Sequence, residues 1–337
     1  MPTRGKRSIR GRIALSATSS FREQNEGPFN DFIYRNLYTL CSGLEIISTE
    51  GTHAIITELI ERELPGPLLK LVRRYSRLPI SSTRDLSAWR QCIHKNLVST
   101  RPSIQGMIEI THELVCGRLD AVIHLCDFDN LMTRTDSRVL RRQANVHNVP
   151  IASDLYTADT MVQGWRSLLA DPRDDRIFRQ RQYIAAEKDP LAGLKNGERV
   201  IALIAHNEKK LDLCSFVVRN AKKILRYDHI LSTGTTGRWV IEFLVAGSDH
   251  GEAEIERKVR LCNSGPYGGD VQIAAAVIKK LCGTVIFFQD ALSSHPHEAD
   301  ISLFEQALQM GVKVRFAANP RAAEELLAGA EEKMPAE

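Results

Sequence analysis

RVIALIAHNEKKLDLCSFVVRNAKKILRYDHILSTGTTG, residues 199–237, decides the fold class. Two aliphatic runs, RVIALIAH (199–206) and HILST (229–233), have the length of buried strands, and the segment between them carries a helical pattern. Strand, helix, strand and a glycine-threonine loop make one repeat of a parallel sheet covered by helices. Further apolar runs at KVRLC (258–262), TVIFFQD (284–290) and KVRFAA (313–318) extend that sheet. The expectation is an α/β fold with mainly parallel strands in a three-layer α/β/α arrangement.

Working outward, the first half repeats the order of elements. Its runs are RIALSAT (12–18), EIIST (45–49), AVIHLCD (121–127) and VPIASD (149–154). Ile13-Ala14-Leu15 matches Ile201-Ala202-Leu203, Ser48-Thr49 matches Ser232-Thr233, and Asp127 matches Asp290. Two tandem copies of one unit is the economical reading. The first copy carries roughly 21 extra residues within 53–105. There, Pro65-Gly66-Pro67 splits ITELIERELPGPLLKLVRRYSRL (56–78) into helix, turn and helix. The charged stretch 171–198 reads as a linker. The resulting division is a basic arm at 1–11, a first domain at 12–170, the linker, a second domain at 199–327 and a tail at 328–337.

A chain of 337 residues is long enough for two cores. With 43% hydrophobic residues and no apolar run of membrane-spanning length, a soluble cytoplasmic protein is expected, with no membrane partner. A net charge of +4 is too small to argue for nucleic acid, and the arm MPTRGKRSIRGR lacks the apolar core of a secretory signal. The seven cysteines form no CxxC pair and read as reduced core residues.

Four segments of the second half fall at or beside strand ends, where open parallel sheets bind ligands: IALIAHNEKK (201–210), STGTTG (232–237), NSGPYGGD (263–270) and QDALSSHPHEAD (289–300). A Gly-Thr loop after a strand serves equally as a turn into a helix or as an anion nest of backbone N–H groups and hydroxyls. Lys210 by itself fits a solvated face as well as an anion site, and Asp270 by itself fits a helix N-cap. His297 and Asp300 are three residues apart and face one way on a helix, but further metal ligands are not evident, so no metal or other cofactor is expected.

Taken together and in this order, the four segments resemble methylglyoxal synthase over some 120 to 130 residues. The resemblance implies a lyase that converts dihydroxyacetone phosphate to methylglyoxal and phosphate. It assigns Asp270 as catalytic base, His297 to the substrate oxygens and Asp300 as a second catalytic carboxylate. Thr233, Gly234, Thr235, Thr236 and Lys210 would hold the phosphate. Ser264 and Gly265 join the phosphate and substrate contacts, and His206 matches the histidine at the end of the family's first strand. A carboxylate base needs its pKa raised toward neutrality, by burial or by a like charge such as Asp300.

The pattern departs in two places. The aspartate expected after His206 is Asn207, which keeps hydrogen-bonding shape and loses the charge. In the first half, Met107 stands for the base, Arg134 for the histidine and Ser137 for the second carboxylate, and STGTTG becomes STEGTH, with Glu50 facing the loop. That copy is expected to be catalytically silent, although NVPIASDLYTAD (148–159) resembles the family's closing strand. The alternative function is a non-catalytic phosphate-metabolite sensor, since the same fold serves as the effector domain of carbamoyl phosphate synthetases. The family's closed hexamers of single-domain subunits suggest a homo-oligomer here, with a trimer of two-domain chains as the simplest closure.

Overall fold

The computed structural model describes residues 11–41, 43–61, 83–127, 134–170, 189–290, 292, 298–309 and 314–331. The chain divides into two compact units, Met1–Ala186 and Glu187–Glu337. Most of the basic arm, the Pro65-Gly66-Pro67 turn, most of the linker and His297 lie outside the described residues.

Unit 1 holds five parallel strands, β1 (Gly11–Ala17), β2 (Leu44–Ser48), β3 (Leu97–Ser99), β4 (Ala121–Leu125) and β5 (Ile151–Ala152), in the order β3-β2-β1-β4-β5. Its helices are α1 (Ser19–Gln24), α2 (Glu26–Cys41), α3 (Glu50–Glu61), α4 (Thr83–Asn96), α5 (Ser103–Val115), α6 (Thr135–Val146) and α7 (Leu155–Ala170). Along β1, side chains alternate between the two faces of the sheet. Ile13 and Leu15 join Phe32, Leu37 and Ile56 on one face, and Ala14 meets Ile110, Leu114 and Leu140 on the other. Both faces being covered explains why these strands read as continuous apolar runs.

Unit 2 repeats the architecture. Its strands are β6 (Val200–Ala205), β7 (His229–Thr233), β8 (Val259–Cys262), β9 (Thr284–Phe288) and β10 (Arg315–Ala317), in the order β10-β9-β6-β7-β8, all parallel. The helices are α8 (Lys210–Ile224), α9 (Gly234–Ala246), α10 (Glu252–Lys258), α11 (Gly269–Ile278), α12 (Glu298–Gln309) and α13 (Pro320–Glu331). Phe216, Val217, Ile224 and Val240 pack on Ile201 and Leu203, each fully buried side chain contributing roughly 1.5–3 kcal/mol. Helix α11 is buried all round, which its alanine-rich GDVQIAAAVI allows.

Strand order is the same in both units when counted within each, and so is register. Ile13 pairs with Ile46 and Ala121, as Ile201 pairs with Ile230 and Thr284. Likewise Ile46 pairs with Leu97 as Ile230 pairs with Val259. The extra length of unit 1 lies between α3 and β3, where α4 stands. The range 53–105 is therefore wider than the excess, because it also takes in most of α3 and all of β3.

Strand interiors differ between the units in polarity. On β1 and β4, Ser16 Oγ lies 2.8 Å from His124 Nδ1, and His124 Nε2 lies 2.9 Å from Ser137 Oγ, with all three residues buried. Burial pulls the His124 pKa down to about 4, with Asp136 opposing and Arg134 assisting. Because the unfolded chain takes up this proton first, stability is full above about pH 6.5 and is lost as pH falls toward 4, by about 3 kcal/mol in all. Urea unfolding at pH 7 and pH 4 should show that loss in the wild type and a smaller one in His124→Gln. Equal losses would remove His124 as the cause.

Six of the seven cysteines are buried and none forms a disulfide; burial pushes the Cys282 thiol up to about 12. Among the described residues, no helix is long and apolar enough to cross a membrane.

Candidate active site

At the C-terminal edge of the unit 2 sheet, three strand-to-helix junctions converge. Strand β7 ends at Thr233, whose extended backbone lets α9 begin at Gly234, so the first turn of the helix presents the N–H groups of Thr235 and Thr236. This end of a helix carries partial positive charge and suits an anion. Gly234 keeps the turn close to the next loop: a Cβ there would lie 3.4 Å from the Ser264 nitrogen.

The second junction follows β8. Asn263 N–H donates to Gln272 Oε1 at 2.7 Å and Asn263 Nδ2 donates to the Tyr267 carbonyl at 3.0 Å, which pins the loop 263–268. Gly268 has φ of +89°, a left-handed conformation that glycine adopts without strain, and it turns the chain into α11. A Cβ on Gly269 would collide with the Asn263 carbonyl. This tight packing carries Asp270 into the first turn of α11, where it is 3% exposed. Unit 1 has the same close approach, of Gly106 against the Arg101 carbonyl, and the next residue is Met107.

The third junction follows β6. His206 is buried edge-on to Phe287, with ring centroids 4.9 Å apart, and its Nδ1 accepts the Asp290 backbone N–H at 2.8 Å. An accepting Nδ1 carries no proton, so the neutral ring holds its hydrogen on Nε2. That bond joins the ends of β6 and β9, the central pair from which the chain departs in opposite directions along the sheet. Lys210 opens α8, and its Nζ donates to Thr235 Oγ1 at 3.2 Å and lies 6.0 Å from the Trp239 ring centroid. Lys209 instead pairs with Asp212 at 3.6 Å.

A cavity of about 100 Å³ lies between the junctions. Its walls include His206, Lys210, Thr233, Thr235, Thr236, Ser264, Gly265 and Asp270 from the sequence expectation, with Asn207 at its rim. Ile204, Pro266 and Phe287 also line it and were not foreseen, since in sequence they are indistinguishable from core and turn residues. Gly234 supports the wall without lining it. Asp300 falls on α12, and His297 lies outside the described residues. Chemically, the cavity combines a buried carboxylate, an imidazole and an anion cradle of two helix N–H groups, hydroxyls and one ammonium.

A methylglyoxal synthase of Clostridium botulinum (strain Alaska E43 / Type E3) is 41% identical over 102 residues, 30% of this chain and 76% of that protein. One from Borreliella burgdorferi (strain ZS7) is 35% identical over 134 residues, 40% of this chain and 96% of its own length. The chain belongs to the methylglyoxal synthase family. No family model matches it. The crystal structure of methylglyoxal synthase from Elizabethkingia anophelis NUHP1 aligns at 28% identity with a TM-score of 0.33, over 42% of this chain and 80% of the other. The two sequence matches cover 30% and 40% of this chain, so the methylglyoxal synthase relationship accounts for less than half of it.

Proposed function

We propose that unit 2 converts dihydroxyacetone phosphate to methylglyoxal and inorganic phosphate. The observation that carries this reading is the position of Asp270, a buried carboxylate on the wall of the same small cavity as the α9 N-terminus and Lys210. A molecule whose phosphate sits in the cradle presents its carbon chain to that carboxylate. Asp270 takes a proton from the hydroxyl-bearing carbon, and the electron pair moves onto the carbonyl oxygen to give an enediolate. The Nε2–H of His206 is a donor for that oxygen, and we assign His297 to the same task. Passing the hydroxyl proton to that oxygen lets the enediolate collapse to an aldehyde, which breaks the C–O bond to phosphate; the phosphate takes the proton removed by Asp270, and the enol left behind ketonises to methylglyoxal. Asp300 is assigned as the second carboxylate. No cofactor takes part in this scheme.

We further propose that unit 1 is a silent copy. Shared strand order and register, and the Gly106–Arg101 approach, support common descent. At its equivalents of the catalytic positions stand Met107, Ser137, whose hydroxyl is bonded to His124, and Arg134, whose Nη2 pairs with Asp136 at 2.6 Å. None of the three can take up a proton from carbon.

Asn207 is exposed at the cavity rim and stands where the resemblance expects an aspartate. Restoring the charge with Asn207→Asp should raise turnover by about tenfold, if a carboxylate there assists proton movement, and leave phosphate affinity within about twofold. Steady-state kinetics with dihydroxyacetone phosphate, alongside phosphate titration, checks this. An unchanged or lower rate would show that the amide suffices.

A further inference from the structure

Unit 1 contains a cavity of about 260 Å³ between α1, α2 and α3, remote in sequence from every residue of the proposed active site. Its apolar wall is Phe29, Ile55 and Leu59, with Phe29 1% and Leu59 4% exposed. The polar wall is mixed in sign, with Arg22 on one side and the exposed carboxylates of Glu23, Glu26 and Glu58 around it.

Arg22 is the informative residue. It is half-buried, and burial lowers its pKa, with the Glu23 charge opposing. Its Nη1 donates to the Ala17 carbonyl at 2.6 Å and reaches Thr52 Oγ1 at 3.5 Å. No carboxylate of the described residues forms an ion pair with it, and its buried Nε makes no hydrogen bond among them. The guanidinium also lies beside Gly51 in the first turn of α3, where the helix dipole is opposed by the carboxylate of Glu50. A half-buried guanidinium that has the Glu23 charge nearby but no carboxylate in ion-pair contact can take a carboxylate, whose planar fork matches its own.

A simple anion does not account for the remainder, because three glutamates share the cavity. They favour an ammonium group, and the Phe29, Ile55 and Leu59 wall favours a hydrocarbon side chain. One ligand class satisfies all three requirements within this volume. We propose that unit 1 binds a free α-amino acid with an aliphatic side chain, its carboxylate toward Arg22, its ammonium toward the glutamates and its side chain against Phe29, Ile55 and Leu59.

Calorimetric titration of the full chain tests this with three probes: L-leucine, 3-methylbutan-1-amine, which lacks the carboxylate, and 4-methylpentanoate, which lacks the ammonium. L-leucine should bind saturably, and each truncated probe should bind at least about tenfold more weakly, the value of one charged hydrogen bond. Arg22→Gln should abolish the leucine heat, and Arg22→Lys should restore part of it. Glu58→Gln, an exposed change that leaves the core untouched, should weaken leucine about tenfold while phosphate release from dihydroxyacetone phosphate stays at the wild-type rate. No saturable leucine heat would overturn the proposal. So would amine binding as tight as leucine, or leucine affinity unchanged in both Arg22→Gln and Glu58→Gln.

Discussion

Asp270→Asn should lower turnover by about 10²–10⁴-fold and leave phosphate affinity within about threefold of wild type. The amide is nearly isosteric, and the surrounding geometry holds it in place: Gly269 packs against the Asn263 carbonyl and α11 is buried on every side. Substitution therefore removes the proton acceptor without opening the loop. The cradle is built from other residues, namely the start of α9 and Lys210, so the anion should still bind. Kinetics with dihydroxyacetone phosphate, combined with calorimetric titration of inorganic phosphate, separates the two effects. A near-normal rate would transfer the role of base to another group.

Lys210→Met should have the complementary effect. Its ammonium is held between the Thr235 hydroxyl and the Trp239 ring, and Thr235 belongs to the α9 turn that lines the cavity. Methionine retains the hydrocarbon stem and deletes the charge. Loss of one charge-assisted hydrogen bond to a phosphate dianion is worth about 1.5–3 kcal/mol, so kcat/KM should fall roughly 10- to 100-fold, carried mainly by KM. A loss confined to kcat would mean that the ammonium acts on the reacting carbons and not on the phosphate.

The unit 2 sheet was legible because strands covered on both faces leave unbroken aliphatic runs, as VIALIA in β6 and TVIFF in β9 do. Strand β3 was not. It has three residues at the sheet edge, Val98 and Ser99 are exposed, and α4 runs directly into it, so neither length nor alternation marked it. In the site, STGTTG and SGPYGGD were legible as loops beside strand ends, and it was the family resemblance that assigned Thr235 and Asp270 to one site; both line the same cavity. What the letters did not carry was the role of tertiary neighbours. Phe287 looks like any core phenylalanine until His206 is found against its ring, and the tautomer of His206 depends on a backbone N–H more than eighty positions away. Similarly, Ser16 and His124 read as strand residues, and only pairing of β1 with β4 shows them bonded to each other.

Phosphate elimination by unit 2 differs from mere binding of a phosphorylated metabolite in the products that appear. Incubation of the purified full chain with dihydroxyacetone phosphate, with inorganic phosphate and methylglyoxal measured in the same sample, tests it most directly. Catalytic release of both products in equal amounts, abolished in parallel by Asp270→Asn, is the expected result. Saturable binding of dihydroxyacetone phosphate with neither product formed would contradict it and make the unit a sensor.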